Sequence, residues 1–163
     1  MPPVISIVGR RHSGKTAVLE ALVSELTRRG LCVGTLKHSV HGFEMDREGK
    51  DTWRHRRAGA KAVGIMSERE VAVIRTIEAE LPLEQAVALL GPDLDLVLTE
   101  GFKRAATLKI EVIRVQTGCE VQTPPDQLLA VVADCPLQTT APGLASGDTA
   151  ALADLVVAHL GAL

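Results

Sequence analysis

Between positions 9 and 16 the chain reads Gly9-Arg10-Arg11-His12-Ser13-Gly14-Lys15-Thr16. Two glycines at this spacing, followed at once by a lysine and a hydroxyl, suit the wrapping of phosphate groups. Gly9 and Gly14 can take backbone conformations closed to residues with a side chain, so that N–H groups converge on anionic oxygens. A helix starting near Lys15 aims its N-terminal dipole at the same anions. Lys15 carries a mobile positive charge to the β- and γ-phosphates of a nucleoside triphosphate, and the Thr16 hydroxyl is a hard oxygen ligand for Mg²⁺. Ser13 lies inside the loop and Ala17 follows it in the first helical turn. The side chains of Arg10, Arg11 and His12 suit phosphate contact and plain solvation equally well.

A second acid-bearing motif is Leu94-Asp95-Leu96-Val97-Leu98-Thr99-Glu100-Gly101, an apolar run that ends in a carboxylate. Ligands of open α/β sheets bind beyond the carboxyl ends of the strands. Glu100 lies at that end and Asp95 at the other. Glu100 is therefore the acid expected to hold Mg²⁺, directly or through water, or to polarise an attacking water. The bland alternative is a solvated strand-end acid. Gly101 allows close backbone approach to a phosphate. Lys37 ends another predicted strand on the same edge, within reach of phosphate or of a second ligand.

The elements that must position these groups follow from hydrophobic spacing. Residues 4–8 (VISIV) read as a buried strand leading into Gly9, and residues 16–29 as an amphipathic helix stopped by Gly30. A strand over 31–36 completes a right-handed βαβ unit. Residues 37–50 form a polar loop, and 51–60 a short basic helix. Two apolar runs, 62–66 and 71–77, read as a hairpin. A helix over 83–90, strands over 94–99, 110–115 and 129–133, a loop over 139–147 and a final helix over 148–160 follow. Alternation of strands and helices predicts a single α/β domain, 1–163, with three layers, a mostly parallel sheet and the hairpin inserted at about 62–77.

Composition narrows the function classes. The chain has 163 residues and a net charge of −2, so no strong overall attraction to nucleic acid or anionic lipid is expected. The few aromatics, Phe43, Trp53 and Phe102, offer no base-stacking surface. The start resembles no signal peptide and no apolar run reaches membrane-spanning length. Three cysteines without CxxC spacing suit a reduced cytoplasmic protein. Charge is locally uneven: residues 37–61 hold seven Lys/Arg, four acids and three of the five His. Arg54, Arg57 and Lys61 are spaced for one helical face, either solvated or built to bind the anion of a phosphorylated partner molecule. His38-x-x-His41 with Asp46 lacks the further ligand that zinc needs at standard spacing.

Longer motifs are more specific. Lys37-His38, the stretch Asp46-Arg47-Glu48-Gly49-Lys50-Asp51-Thr52-Trp53-Arg54-His55-Arg56, Glu100-Gly101-Phe102-Lys103 and Lys109-Ile110-Glu111-Val112-Ile113-Arg114 occur in this order after the phosphate loop. Together they resemble the molybdopterin-guanine dinucleotide biosynthesis protein B (MobB) family, from Val4 to about Pro136. The resemblance implies a GTP-binding accessory protein of molybdenum cofactor assembly, related to dimeric P-loop GTPases with weak hydrolysis. It also implies a guanylyltransferase partner that joins GMP to molybdopterin. His38, Asp46, Lys50, Arg54, Arg57, Lys103 and Arg114 are then the residues expected to face pterin or partner. The interior of the phosphate loop is bulkier and more basic than the small-residue loops common in that family. No N-K-x-D guanine motif is present, and Asp134, after the strand 129–133, is the acid best placed to read guanine. Two other classes compete: a small-molecule kinase, with the basic helix as lid or acceptor site, and a nucleotide-switched interaction module whose loop 37–50 orders on binding.

Overall fold

A computed structural model describes residues 1–162. Six strands form one sheet: β1 (Val4–Gly9), β2 (Val33–Lys37), β5 (Leu96–Glu100), β6 (Leu108–Ile113), β7 (Leu128–Ala133) and β8 (Gly143–Leu144). Their order is β2-β5-β1-β6-β7-β8, and every neighbouring pair is parallel. The remaining strands, β3 (Ala62–Met66) and β4 (Val71–Arg75), pair antiparallel as a separate hairpin. The helices are α1 (Lys15–Arg28), α2 (Asp51–Arg57), α3 (Leu83–Ala88) and α4 (Thr149–Leu160). This is the expected α/β fold with a parallel sheet and a hairpin.

Strand parity sorts the side chains between the two faces of the sheet. Ile5, Ile7, Leu96, Leu98, Ile110, Val112, Ala130 and Val132 form one face. Val18, Leu22 and Leu26 of α1 and Leu152, Ala153 and Val156 of α4 cover it, as the helical spacing of these residues predicts. The opposite face is more polar. Ser6, Thr99, Lys109 and Glu111 are buried there, with a smaller apolar cluster around Ile113, Leu128 and Val131.

Several boundaries and pairings differ from the sequence expectation. The loop predicted over 139–147 contains β8, a two-residue strand whose Gly143 and Leu144 lie beside Val131 and Val132. So short a strand has no alternating pattern to read. β4 stops at Arg75, before Ile77. Helix α2 ends at Arg57 with Ala58 as its C-cap, and Lys61 lies beyond it, paired with Glu78 at 3.9 Å. Lys61 therefore does not share a helical face with Arg54 and Arg57. Cys119 and Cys135 form a disulfide, where the sequence suggested only reduced thiols. The crossover from β6 to β7 brings these two residues together, and no local spacing announces that approach.

The chain divides into two compact units, Met1–His38 with Leu83–Leu163, and Ser39–Pro82. The first holds the parallel sheet with α1, α3 and α4. The second holds α2 and the hairpin.

Candidate functional site

Parallel register gathers the chemistry-bearing residues at one end of the sheet. Ile7 and Lys37 both lie opposite Glu100, and Gly9 lies opposite Val112. The carboxyl ends of β1, β2, β5 and β6 thus open on the same edge, where an α/β sheet binds ligands.

The phosphate loop bridges β1 and α1. Three of its residues have positive φ: Gly9 at 148°, His12 at 62° and Gly14 at 84°. A side chain on Gly9 would overlap the carbonyl oxygen of Val112 and lie 2.7 Å from Ser13 Oγ. Gly14, in the left-handed region, is the N-cap of α1, so the first N–H groups of the helix open toward the loop. Ser13 is fully buried and its Oγ has no hydrogen-bond partner. A buried hydroxyl of this kind is strained unless an acceptor or donor reaches it.

Lys15 donates from Nζ to the Arg10 carbonyl at 2.6 Å, so its ammonium folds back over the loop. Burial pushes its pKa down. Glu100 opposes that shift, while Lys103 and Lys37 add to it. Thr16 donates from Oγ1 to Glu100 Oε2 at 3.1 Å. The other Glu100 oxygen faces Lys37 Nζ at 3.4 Å. A hydroxyl and a carboxylate in contact, at the start of a helix below a glycine loop, are hard oxygen donors of the kind Mg²⁺ takes alongside nucleotide phosphates. Ala17 lies one residue further along α1.

Behind Glu100 the backbone turns sharply. Gly101 has φ 100° and Phe102 φ 53°. A side chain on Gly101 would come within 3.3 Å of the His38 Cβ. The His38 ring packs against Phe102, with centroids 5.0 Å apart. Lys37-His38 and Glu100-Gly101-Phe102-Lys103 thus form one contiguous corner. Lys103 also borders a small cavity with Gly9, Glu111 and Thr123.

Not every basic residue of the loop faces that corner. Arg10 turns away, donating through Nη1 to the Thr117 carbonyl and through Nη2 to Glu120 at 3.2 Å. Arg11 and His12 are exposed. Arg114, expected to face pterin or partner, lies against the phosphate loop: a side chain on Gly14 would meet its Nη2 at 3.4 Å. Asp134 lies beside it, with Oδ2 3.8 Å from Arg114 Nε, while Oδ1 accepts the Val115 N–H at 2.7 Å.

Asp46, Lys50, Arg54 and Arg57 belong to the second unit. Asp46 accepts a hydrogen bond from Thr52 Oγ1 at 2.8 Å across the start of α2. Arg57 stacks on Trp53, with Cζ 5.2 Å from the ring centroid. Lys50 and Arg54 are exposed. Among the described residues no three His, Cys, Asp or Glu side chains gather as a metal cluster.

Two charged residues of Lys109-Ile110-Glu111-Val112 play a part that spacing did not reveal. Lys109 is 2% exposed and its Nζ donates to the carbonyls of Ala105 and Thr107 and to Gln127. Burial lowers its pKa. The Glu111 carboxylate is buried beside it in sequence and accepts the N–H groups of Gln122 and Thr123. Alternation of charged and apolar residues along β6 was the available signal, since it places Lys109 and Glu111 on one face of a central strand.

Residues 4–134 match the model of the family described as Molybdopterin guanine dinucleotide synthesis protein B. The chain belongs to this family. Curated relatives include the molybdopterin-guanine dinucleotide biosynthesis adapter proteins of Escherichia coli and Haemophilus influenzae. The first is 32% identical and the alignment covers 96% of this chain and 93% of that one. The second is 34% identical, covering 83% and 77%. The solved structure of Bacillus subtilis MobB superposes with a TM-score of 0.75 at 26% identity, covering 96% of both chains. Among MobB proteins the present chain thus shares the fold over nearly its whole length. Among the described residues no helix is long and apolar enough to cross a membrane.

Proposed function

We propose that this MobB-family chain binds GTP with Mg²⁺ and acts as an adapter in molybdopterin-guanine dinucleotide synthesis, presenting the nucleotide to a guanylyltransferase partner. The observation that carries this reading is the contact of Thr16 with Glu100 directly below the loop of Gly9 to Lys15. The loop N–H groups and Lys15 would hold the β- and γ-phosphates. Thr16 and Glu100 would hold Mg²⁺, which when bound neutralises phosphate charge. Lys37 adds a cation on the far side of Glu100. Asp134 stands at the strand end from which a guanine edge could be read.

Hydrolysis in this reading is slow. Glu100 is the acid assigned to the metal or the water, and its two carboxylate oxygens are already engaged, one by Thr16 and the other by Lys37. The exposed basic residues Lys50 and Arg54, with Arg57, are assigned to the pterin or the partner enzyme rather than to GTP. The relatives named as adapter proteins support this assignment of role.

The test is equilibrium titration of the purified protein with labelled GTP and ATP, each with and without Mg²⁺. GTP binding strengthened by Mg²⁺ is the expected result. Equal or tighter binding of ATP would favour the kinase class instead, and absence of any triphosphate binding would remove the reading altogether.

A further inference from the structure

Arg114 stands one residue beyond β6, and the structure leaves part of its guanidinium without an acceptor. Nη1 donates to the Ile113 carbonyl at 3.0 Å. The Nε–Nη2 edge turns toward the phosphate loop, where a side chain on Gly14 would meet Nη2 at 3.4 Å and Nε at 3.8 Å. The facing carboxylate, Asp134 Oδ2, is 3.8 Å from Nε, an ion pair too long for a hydrogen bond. The side chain is only 16% exposed, so water solvates this edge poorly. A mostly buried planar cation with an unfilled donor edge calls for an anionic oxygen.

The position of that edge indicates which anion. It faces Gly14, the left-handed N-cap of α1, at the positive end of the helix. Ser13, the residue before it, is fully buried with an unpartnered Oγ. The unfilled donor edge and the unpartnered hydroxyl therefore flank the same short stretch of loop.

Asp134 is held in place independently. Its Oδ1 takes the Val115 N–H at 2.7 Å, and this fixes the carboxylate at the first turn beyond β6. A carboxylate anchored in this way limits the rotamers open to Arg114 and keeps the fork turned to Gly14.

We propose that Arg114 contacts a phosphate of the bound nucleotide through its Nε–Nη2 edge, and that Asp134 is the positioning residue that holds it there. This assignment rests on the reading of residues 9–16 as a phosphate loop, and it moves Asp134 from base recognition to support of Arg114.

Inorganic tripolyphosphate and GTP serve as the probes, titrated against wild type, Arg114→Ala, Arg114→Lys, Asp134→Ala and the Arg114→Ala/Asp134→Ala double variant. Melting temperatures without ligand identify any variant that fails to fold. Arg114→Ala should weaken both probes by about 10- to 100-fold. Arg114→Lys should recover little, because a point charge lacks the fork. Asp134→Ala should weaken both probes less, and the double variant should be no worse than Arg114→Ala alone. Unchanged tripolyphosphate affinity in a folded Arg114→Ala protein would overturn the phosphate contact. Additive losses in the double variant, or a loss confined to GTP in Asp134→Ala, would overturn the positioning role and return Asp134 to the base. Failure of wild type to bind either probe would instead defeat the phosphate-loop reading itself.

Discussion

At the residue scale the proposed function gives the loop the task of binding and Glu100 that of turnover. Lys15 folds its ammonium over the loop, whereas Arg10 is turned toward Thr117 and Glu120. Lys15→Ala should lower GTP affinity by about 10- to 100-fold, measured by fluorescence titration, with the fold checked by circular dichroism. Thr16→Ala should act mainly on the Mg²⁺-dependent part of that affinity. Wild-type affinity in Lys15→Ala would be incompatible with the loop as the triphosphate site. Glu100 touches both Thr16 and Lys37. Glu100→Gln keeps its size and removes its charge, so GTP turnover should fall by roughly 100-fold while affinity changes only a few-fold. Single-turnover kinetics would separate the two, and unaltered turnover would transfer the role to another acid.

At the element scale β6 is one strand that serves two faces. Ile110 and Val112 enter the main core, whereas Lys109 and Glu111 tie down the segments at 105–107 and 122–127. Gln122, Thr123 and Pro124 line a small cavity together with Gly9 of the phosphate loop and with Lys103. Glu111→Ala leaves the buried N–H of Thr123 and the part-buried N–H of Gln122 without their acceptor, at a cost of about 1–3 kcal/mol. Urea denaturation monitored by far-ultraviolet circular dichroism would measure it. A loss below about 0.5 kcal/mol would mean that Glu111 is dispensable for the fold. The resemblance to MobB proteins singled out this motif, but only the sheet shows that its charges are buried.

At the scale of the whole molecule the hairpin and the basic helix suggest partners. Ile65, Met66, Val71 and Val73 are 63%, 81%, 71% and 68% exposed, so apolar side chains of β3 and β4 lack cover from this chain. A two-stranded hairpin is marginal by itself in water, and an uncovered apolar ribbon tends to pair. Analytical ultracentrifugation at micromolar concentration should show a dimer, and Val73→Lys should shift it toward monomer. A wild-type protein that sediments only as monomer would contradict this. Arg54→Ala and Arg57→Ala should leave GTP affinity within about twofold, a few tenths of a kcal/mol, yet reduce stimulation of guanine dinucleotide formation in a reconstituted assay. Loss of GTP binding in these variants would place them in the nucleotide site.

The sequence by itself determined what depends on a few neighbouring residues. The glycine spacing of the phosphate loop, the 3.6-residue stripe of α1 and the apolar runs of β1, β5 and β7 are local, because backbone sterics and side-chain parity act over one or two turns. Glu100 was legible for the same reason, as the acid ending a buried strand. Tertiary structure decided the contacts between distant segments. Arg114 lies at Gly14 and Asp134 beside Arg114 because β6 is the neighbour of β1 and β7 the neighbour of β6. The same sheet order joins Cys119 to Cys135 and pairs β8 with β7. Parallel strands are joined by crossovers long enough to erase any spacing signal, so which ends meet is set by sheet order rather than by distance along the chain.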